Sequence, residues 1–185
     1  VGQILPGDTA SVTLSPVTIA NGTLYDLKFY TDKPNNMADA VPGDDTLSFH
    51  GLRTGLTGAF TIDPNIVAST TNWQTFNAFA ADLSNYGLCG AMTVDVAPGT
   101  YNEQVEFMEI TGASATNTIT INGHGANLNY ASTNSNERAV LTFNKASYIT
   151  VDSLNIDASA GAYGHGIQNF GGAHHITIQN CTVDV

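Results

Sequence analysis

The sequence predicts an all-β chain whose larger part is a right-handed parallel β-helix. A repeat carries the prediction first: "YITVDSLNID" (148–157) returns as "HITIQNCTVD" (175–184). Ile149 aligns with Ile176, Val151 with Ile178, Leu154 with Cys181 and Ile156 with Val183, all at one offset (176 − 149 = 27). The upstream flank keeps that offset, Val140 matching Ile167 and Phe143 matching Phe170. The second observation is a recurring pair of inward apolar positions, Val94/Val96, Ile119/Ile121, Ile149/Val151 and Ile176/Ile178, at steps of 25, 30 and 27 residues. Such steps are too long for hairpins and too regular for a meander, which is the mark of a repeat architecture. Within each unit the pattern I-x-V-x-x-L-x-I describes two strands about a corner where the period-two register slips by one. Coils of that kind stack in parallel at roughly 4.8 Å, burying ladders of Ile, Val, Leu and Phe.

The elements follow in chain order. Residues 1–50 read as hairpin-forming β structure, the C-terminal part of an immunoglobulin-like β-sandwich. "ASVTLSPVTI" alternates Val12, Leu14, Val17 and Ile19, with Pro16 as a break or edge. Asn21-Gly22 is a hairpin turn signal, "TLYDLKFYTD" sets Leu27 and Phe29 against Lys28 and Tyr30, and "TLSFHGL" is a further short strand. These strands are too few to close a sandwich, which needs about seven. Residues 51–70 carry Gly51, Gly55, Gly58 and Pro64 and read as a linker with one short strand at Phe60-Thr61-Ile62.

Residues 71–185 form the β-helix, opened by a capping helix over about 72–85. Thr71 and Gln74 fit a capping box. Trp73, Phe76, Phe79, Ala80 and Leu83 recur at helical spacing, and Gly87 ends the run. A solenoid end leaves apolar core and unpaired backbone open, so an aromatic helix across the first coil is the expected cover. The chain has no initiator Met or signal peptide and stops in mid-repeat at Val185, so further coils and a longer precursor are expected.

Composition narrows the function. A net charge of −11, with five Lys and Arg, excludes a phosphate-backbone binder, and no stretch approaches the length of a membrane span. Cys89 and Cys181 are too few for a disulfide framework, lack CxxC spacing, and read as free, buried, small apolar residues.

The segment from Trp73 to Gly123 resembles the start of the right-handed β-helix modules in large Bacteroidota-type secreted surface proteins. It carries their aromatic helix, the Gly-x-Cys-Gly step (87–90), the Pro-Gly-Thr-Tyr turn (98–101) and the Asn-Thr-Ile-Thr strand (117–120). The preceding stretch from Asn21 to Phe49 is similar to the tail of the Ig-like, adhesion-type domains that often stand before such modules. The resemblance implies secretion through a type IX-like system and a place at the cell surface, in an adhesin, an extracellular filament or a surface enzyme.

Many β-helix proteins cleave polysaccharides, so each chemical candidate is set against a plainer role. Gly164-His165-Gly166 is similar to a stretch of polygalacturonases, but the paired Asp-Asp and the Arg-x-Lys of that family are missing, and Gly123-His124-Gly125 repeats the tripeptide. A turn preference is the preferred account. His165, His174, His175 and Asp157 are metal candidates; adjacent His174 and His175 should point to opposite faces of a strand, so solvent-facing loop histidines are preferred. Glu103, Glu106 and Glu109 are close in sequence, as a calcium site would want, but Glu106 alternates with inward Val105 and Phe107 and should face water. Asp39, Asp44 and Asp45 are the calcium candidates, with a solvated acidic turn preferred. Asp8-Thr9-Ala10, Asp45-Thr46-Leu47 and Asp152-Ser153-Leu154 match an O-glycosylation pattern, placing acceptors at Thr9, Thr46 and Ser153.

No catalytic residue and no cofactor other than calcium is expected. The leading expectation is a non-catalytic structural or adhesive segment of a long extracellular surface protein, partnered by copies of itself, by further domains of its own chain and by surface glycans, with no nucleic acid and no membrane insertion. The alternatives are a polysaccharide lyase or hydrolase with its catalytic face beyond residue 185, and a glycan-binding module using Tyr130, Tyr148 and Tyr163.

Overall fold

A computed structural model describes residues 11–20, 24–30, 43 and 46–185. The Asn21-Gly22 turn, the acidic turn with Asp39, Asp44 and Asp45, and Thr9 lie outside the described residues. Within them the chain is all-β around a single helix, and its larger part is a parallel β-solenoid of about three turns.

The N-terminal part is plainer than its alternation suggests. Strands β1 (Tyr25–Tyr30) and β2 (Thr46–Leu52) pair antiparallel, and Phe29 meets Phe49 edge to face across them. Residues 11–20 form no strand, and Val12, Leu14, Val17 and Ile19 are all exposed. Alternation there finds no partner strand among the described residues, and without ladder bonds or a face to bury it does not make a strand.

The segment read as a linker contributes to the solenoid. Strand β3 (Leu56–Ile62) is longer than the three residues expected and buries Leu56, Phe60 and Ile62. It pairs in parallel with the two-residue β4 (Asn72–Trp73) and with β5 (Leu88–Val96). Buried Asn72 fixes the connection: its Oδ1 accepts from Thr61 Oγ1 (2.6 Å) and Asp63 N (3.1 Å), and its Nδ2 donates to the carbonyls of Asp63 (3.2 Å) and Ile66 (3.1 Å).

Helix α1 spans Phe76–Tyr86, later than the capping-box reading places it, because Asn72 and Trp73 are held in β4. Thr75, not Thr71, is the N-cap, its side chain accepting from Ala78 N at 3.1 Å. Glu103 completes the cap from outside the helix, Oε1 accepting from Phe76 N (3.1 Å) and Oε2 from Asn77 N (2.9 Å). It is half-buried there. Gly87 closes the helix at φ 63°, as expected. Trp73 joins the cover from β4, stacking on Phe60 (5.1 Å) and meeting Phe79 (4.8 Å). Its Nε1 donates to Asp82, which also pairs with the buried Arg53 guanidinium.

Each coil then lays strands on three faces. The first face holds β5, β8 (Ile119–Asn122), β11 (Ser147–Asp152) and β14 (His174–Gln179). The second holds β6 (Thr100–Asn102), β9 (Asn127–Asn129), β12 (Asn155–Asp157) and β15 (Thr182–Asp184), and the third holds β7 (Val105–Phe107), β10 (Ala139–Asn144) and β13 (His165–Phe170). All neighbours pair in parallel. Ile149 opposite Ile176, Val151 opposite Ile178 and Ile156 opposite Val183 stand as the repeat requires.

Two registers differ from the sequence alignment. Ile119 and Ile121 pair with Met92 and Val94, not with Val94 and Val96; β5 alternates along nine residues, so alternation alone leaves its frame undetermined. On the third face Leu141 pairs with Ile167 and Asn144 with Phe170, an offset of 26 (167 − 141) rather than 27. Phe143 therefore points inward opposite Asn169, and Phe170 points outward, 45% exposed. Inside, Phe79, Phe107 and Phe143 form an aromatic column with centroids 5.5 and 5.8 Å apart.

Candidate functional site

The outward side of the third face is a trough of about 680 Å³. Its floor is one outward residue per coil, Glu106, Thr142 and Gln168, aligned by the parallel register of β7, β10 and β13. Helix α1 closes one end with Asn77, Ala81, Ser84 and Asn85, and Met108 and Phe170 supply apolar lining. The remaining wall is the loop from Tyr130 to Arg138, an insertion between the second and third faces.

That loop is held firmly. Ser132 is fully buried, donates from Oγ to the Glu137 carbonyl (2.6 Å), and its own carbonyl receives Ala162 N (2.9 Å). Gln104 Nε2 reaches from the coil body to the carbonyls of Glu137 and Ala139, both at 2.8 Å. Asn134 makes an Asx-type turn, accepting from Asn136 N at 3.0 Å, and its amide donates to Glu137 Oε2 at 3.1 Å. Arg138 is thereby oriented: Nε donates to the Ser135 carbonyl (2.5 Å) and the guanidinium lies over the Tyr163 ring at 5.3 Å. Its Nη groups make no hydrogen bond among the described residues, nor do the side-chain amides of Asn77, Asn85, Asn136 and Gln168.

The polar groups of the first face behave differently, because they pair with one another. Asp95 accepts from Asn122 Nδ2 and faces His124 Nε2, each at 3.0 Å. The Asn122 amide first, and then the His124 ring, hold its carboxyl below the usual range. Asp152 accepts from Ser153 Oγ (2.6 Å), Gln179 Nε2 (2.6 Å) and Asn180 Nδ2 (3.0 Å), with Ser153 the largest cause of its lowered pKa. Residues at these corners, His124, Ser153 and Asn180, share positive φ of 49°, 55° and 53°. Ser153, an O-glycosylation candidate, thus sits half-buried in a corner, and Thr46 opens β2.

The three tyrosines stand in different surroundings. Tyr130 is exposed beside Asn102, Asn129 and Asp157 of the second face, and Tyr163 lies under Arg138. Tyr148 stacks on His175 with centroids 4.5 Å apart.

His174 and His175 do not point to opposite faces. His175 takes φ 53°, as Tyr148 takes 58° one coil earlier, and this breaks the alternation so that the two Nδ1 atoms approach to 2.7 Å. His165 opens β13 and is exposed. Asp157 accepts from Ser159 Oγ (2.6 Å) and N (2.8 Å), which lower its pKa and keep it ionised. The neighbouring glycines answer to packing: a Cβ on Gly166 would press on Val183, and one on Gly123 on the Ser153 carbonyl and Leu154. Among the described residues no group of three or more His, Cys, Asp or Glu could hold a metal ion.

Glu106 faces outward as expected, accepting from Asn144 Nδ2 at 2.9 Å, and Glu109 is exposed. Both cysteines are free, but Cys89 lies on the outward side of β5 and is exposed, and Cys181, which packs against the core, is only half-buried. No described helix is long and apolar enough to cross a membrane.

What sequence reasoning missed is the trough. Its floor residues are spaced 36 and 26 apart (142 − 106 and 168 − 142), so no constant period shows them as a set. The one available signal was the surplus between Asn129 and Ala139, where a coil of constant girth must bulge. No protein-family model, curated protein or solved structure matches this chain.

Proposed function

We propose that this chain is a non-catalytic structural and adhesive segment of a long extracellular surface protein. The observation that supports the reading is the in-register parallel pairing on all three faces. Each coil is bonded to the next along three strands, a construction that resists bending and can extend by adding coils. A right-handed coil, an Ig-like module ending in the β1–β2 hairpin, and secretion through a type IX-like route belong to the same proposal, on the strength of the motifs at 73–123 and 21–49. Its partners are further domains of the same chain, other copies and surface glycans, and the acidic charge disfavours nucleic acid and anionic membrane. The test is to locate the protein containing this segment by cell fractionation and immunogold microscopy. Elongated extracellular assemblies are expected, unchanged by His165→Ala or Asp157→Ala; a compact cytoplasmic protein would overturn the reading.

One observation favours an enzyme as the second reading. Glu106, Glu137 and Arg138 line a single trough, and polysaccharide cleavage needs two carboxyl groups across one bond together with a group that stabilises developing charge. Incubation with pectin, alginate and neutral glycans, with and without calcium, decides it. Turnover that is abolished by both Glu106→Gln and Glu137→Gln would establish the enzyme.

A further inference from the structure

We infer that the third-face trough binds a linear, uncharged polysaccharide running along the stacking axis, across β7, β10 and β13. Four features point to that ligand. The floor presents one hydrogen-bonding side chain per coil, Glu106, Thr142 and Gln168, at the roughly 4.8 Å spacing of stacked strands. A pyranose ring has a similar length, so successive sugars meet successive coils.

The hydrogen-bonding capacity is open and aimed. Sugar hydroxyls are recognised by planar donors and acceptors, and Arg138 offers a fork already oriented by Ser135 and Tyr163, with both Nη groups free among the described residues. The Gln168 amide is equally free, whereas the first-face polar side chains largely satisfy each other. The Arg138 fork, already oriented, adds little ordering cost on binding, and the free Gln168 amide offers bonds that no protein group has to give up.

Phe170 provides the apolar surface. The 26-residue register turns it outward, where its exposed ring can lie against the C–H face of a sugar. Charge then selects the class. Glu106 and Glu137 flank Arg138 in a chain of net charge −11, so a polyanionic uronate chain would meet repulsion along the groove that one guanidinium does not offset. A neutral chain meets none.

The inference rests on the adhesive reading, and the two fail separately. The test is titration calorimetry of the 185-residue chain with cellohexaose, mannohexaose and xylohexaose, with oligogalacturonate as the charged arm. At least one neutral hexaose should bind with Kd of about 1 mM or tighter. Gln168→Ala and Phe170→Ala, both at outward positions that leave the core intact, should weaken it about tenfold each. Arg138→Lys, which keeps the charge and loses the fork, should weaken it similarly. Thr177→Ala on the outward side of the first face should change nothing. Binding of oligogalacturonate alone, binding insensitive to the three trough variants, or no binding of any neutral hexaose would overturn the inference. The last result, with the protein still found in extracellular fibres, would leave the structural reading standing.

Discussion

Glu103 belongs to a corner of the first coil yet closes the N-terminus of α1, so one side chain couples cap to coil. Glu103→Ala should lower stability by about 1–2 kcal/mol, measured by urea denaturation, with Glu103→Gln losing less. Asn72 is the sharper case, since its removal orphans partners around a buried amide: Asn72→Ala should lose about 2–3 kcal/mol. An unchanged midpoint in either variant would show that the bonds do not contribute. Asp95 sets a pH dependence. Its folded pKa lies below its unfolded one, so the unfolded chain takes up the proton first as pH falls. Its stabilisation is full above the ordinary carboxyl range near about 4 and is lost as pH falls through the lower folded value. At this exposed pair the effect is about 0.5 kcal/mol or less, and NMR should show the Asp95 titration moving upward in Asn122→Ala. At this scale the sequence identified residue types but not their partners: nothing local marks Glu103 as a cap, because its partners are helix amides 26 and 27 residues earlier in the chain.

At the scale of elements, the aromatic column is the joint between helix and coils. Phe107 lies between Phe79 and Phe143 and is almost fully buried. Phe107→Ala should cost about 3–5 kcal/mol and broaden the melt as the cap uncouples from the coils. A loss confined to 1 kcal/mol or so would show that the column repacks. Strand type and inward face were legible wherever the alternation was short and bounded, as in β8, β11, β12 and β14. Frame was not legible in β5, whose alternation outlasts its pairing, nor on the third face, where the last coil carries one residue more between β13 and β14 (174 − 170) than the coil before it carries between β10 and β11 (147 − 144), which moved Phe170 from core to surface. Alternation also misled at residues 11–20, since apolar periodicity records an opportunity to pair and not the partner.

For the whole molecule, the last strands β13, β14 and β15 each present an edge with no partner among the described residues, and Ile176, Ile178 and Val183 are only partly covered. The 185-residue chain on its own should self-associate with rising concentration despite its charge, read by sedimentation velocity, and a monodisperse monomer at all concentrations would contradict this. The repeat was legible because the last two coils distribute their residues alike around the first and second faces. Earlier coils conceal it, because their totals differ and are divided differently among the corners. From Met92 to Ile119 is 27 residues and from Ile119 to Ile149 is 30, and the first coil bulges between the third and first faces while the next bulges between the second and third. A wall such as the 130–138 loop can therefore lengthen or shorten without altering the rise of the stack beneath it. Insertion and deletion at the corners of such a solenoid reshape the walls of its trough, while the gauge of the stack stays the same.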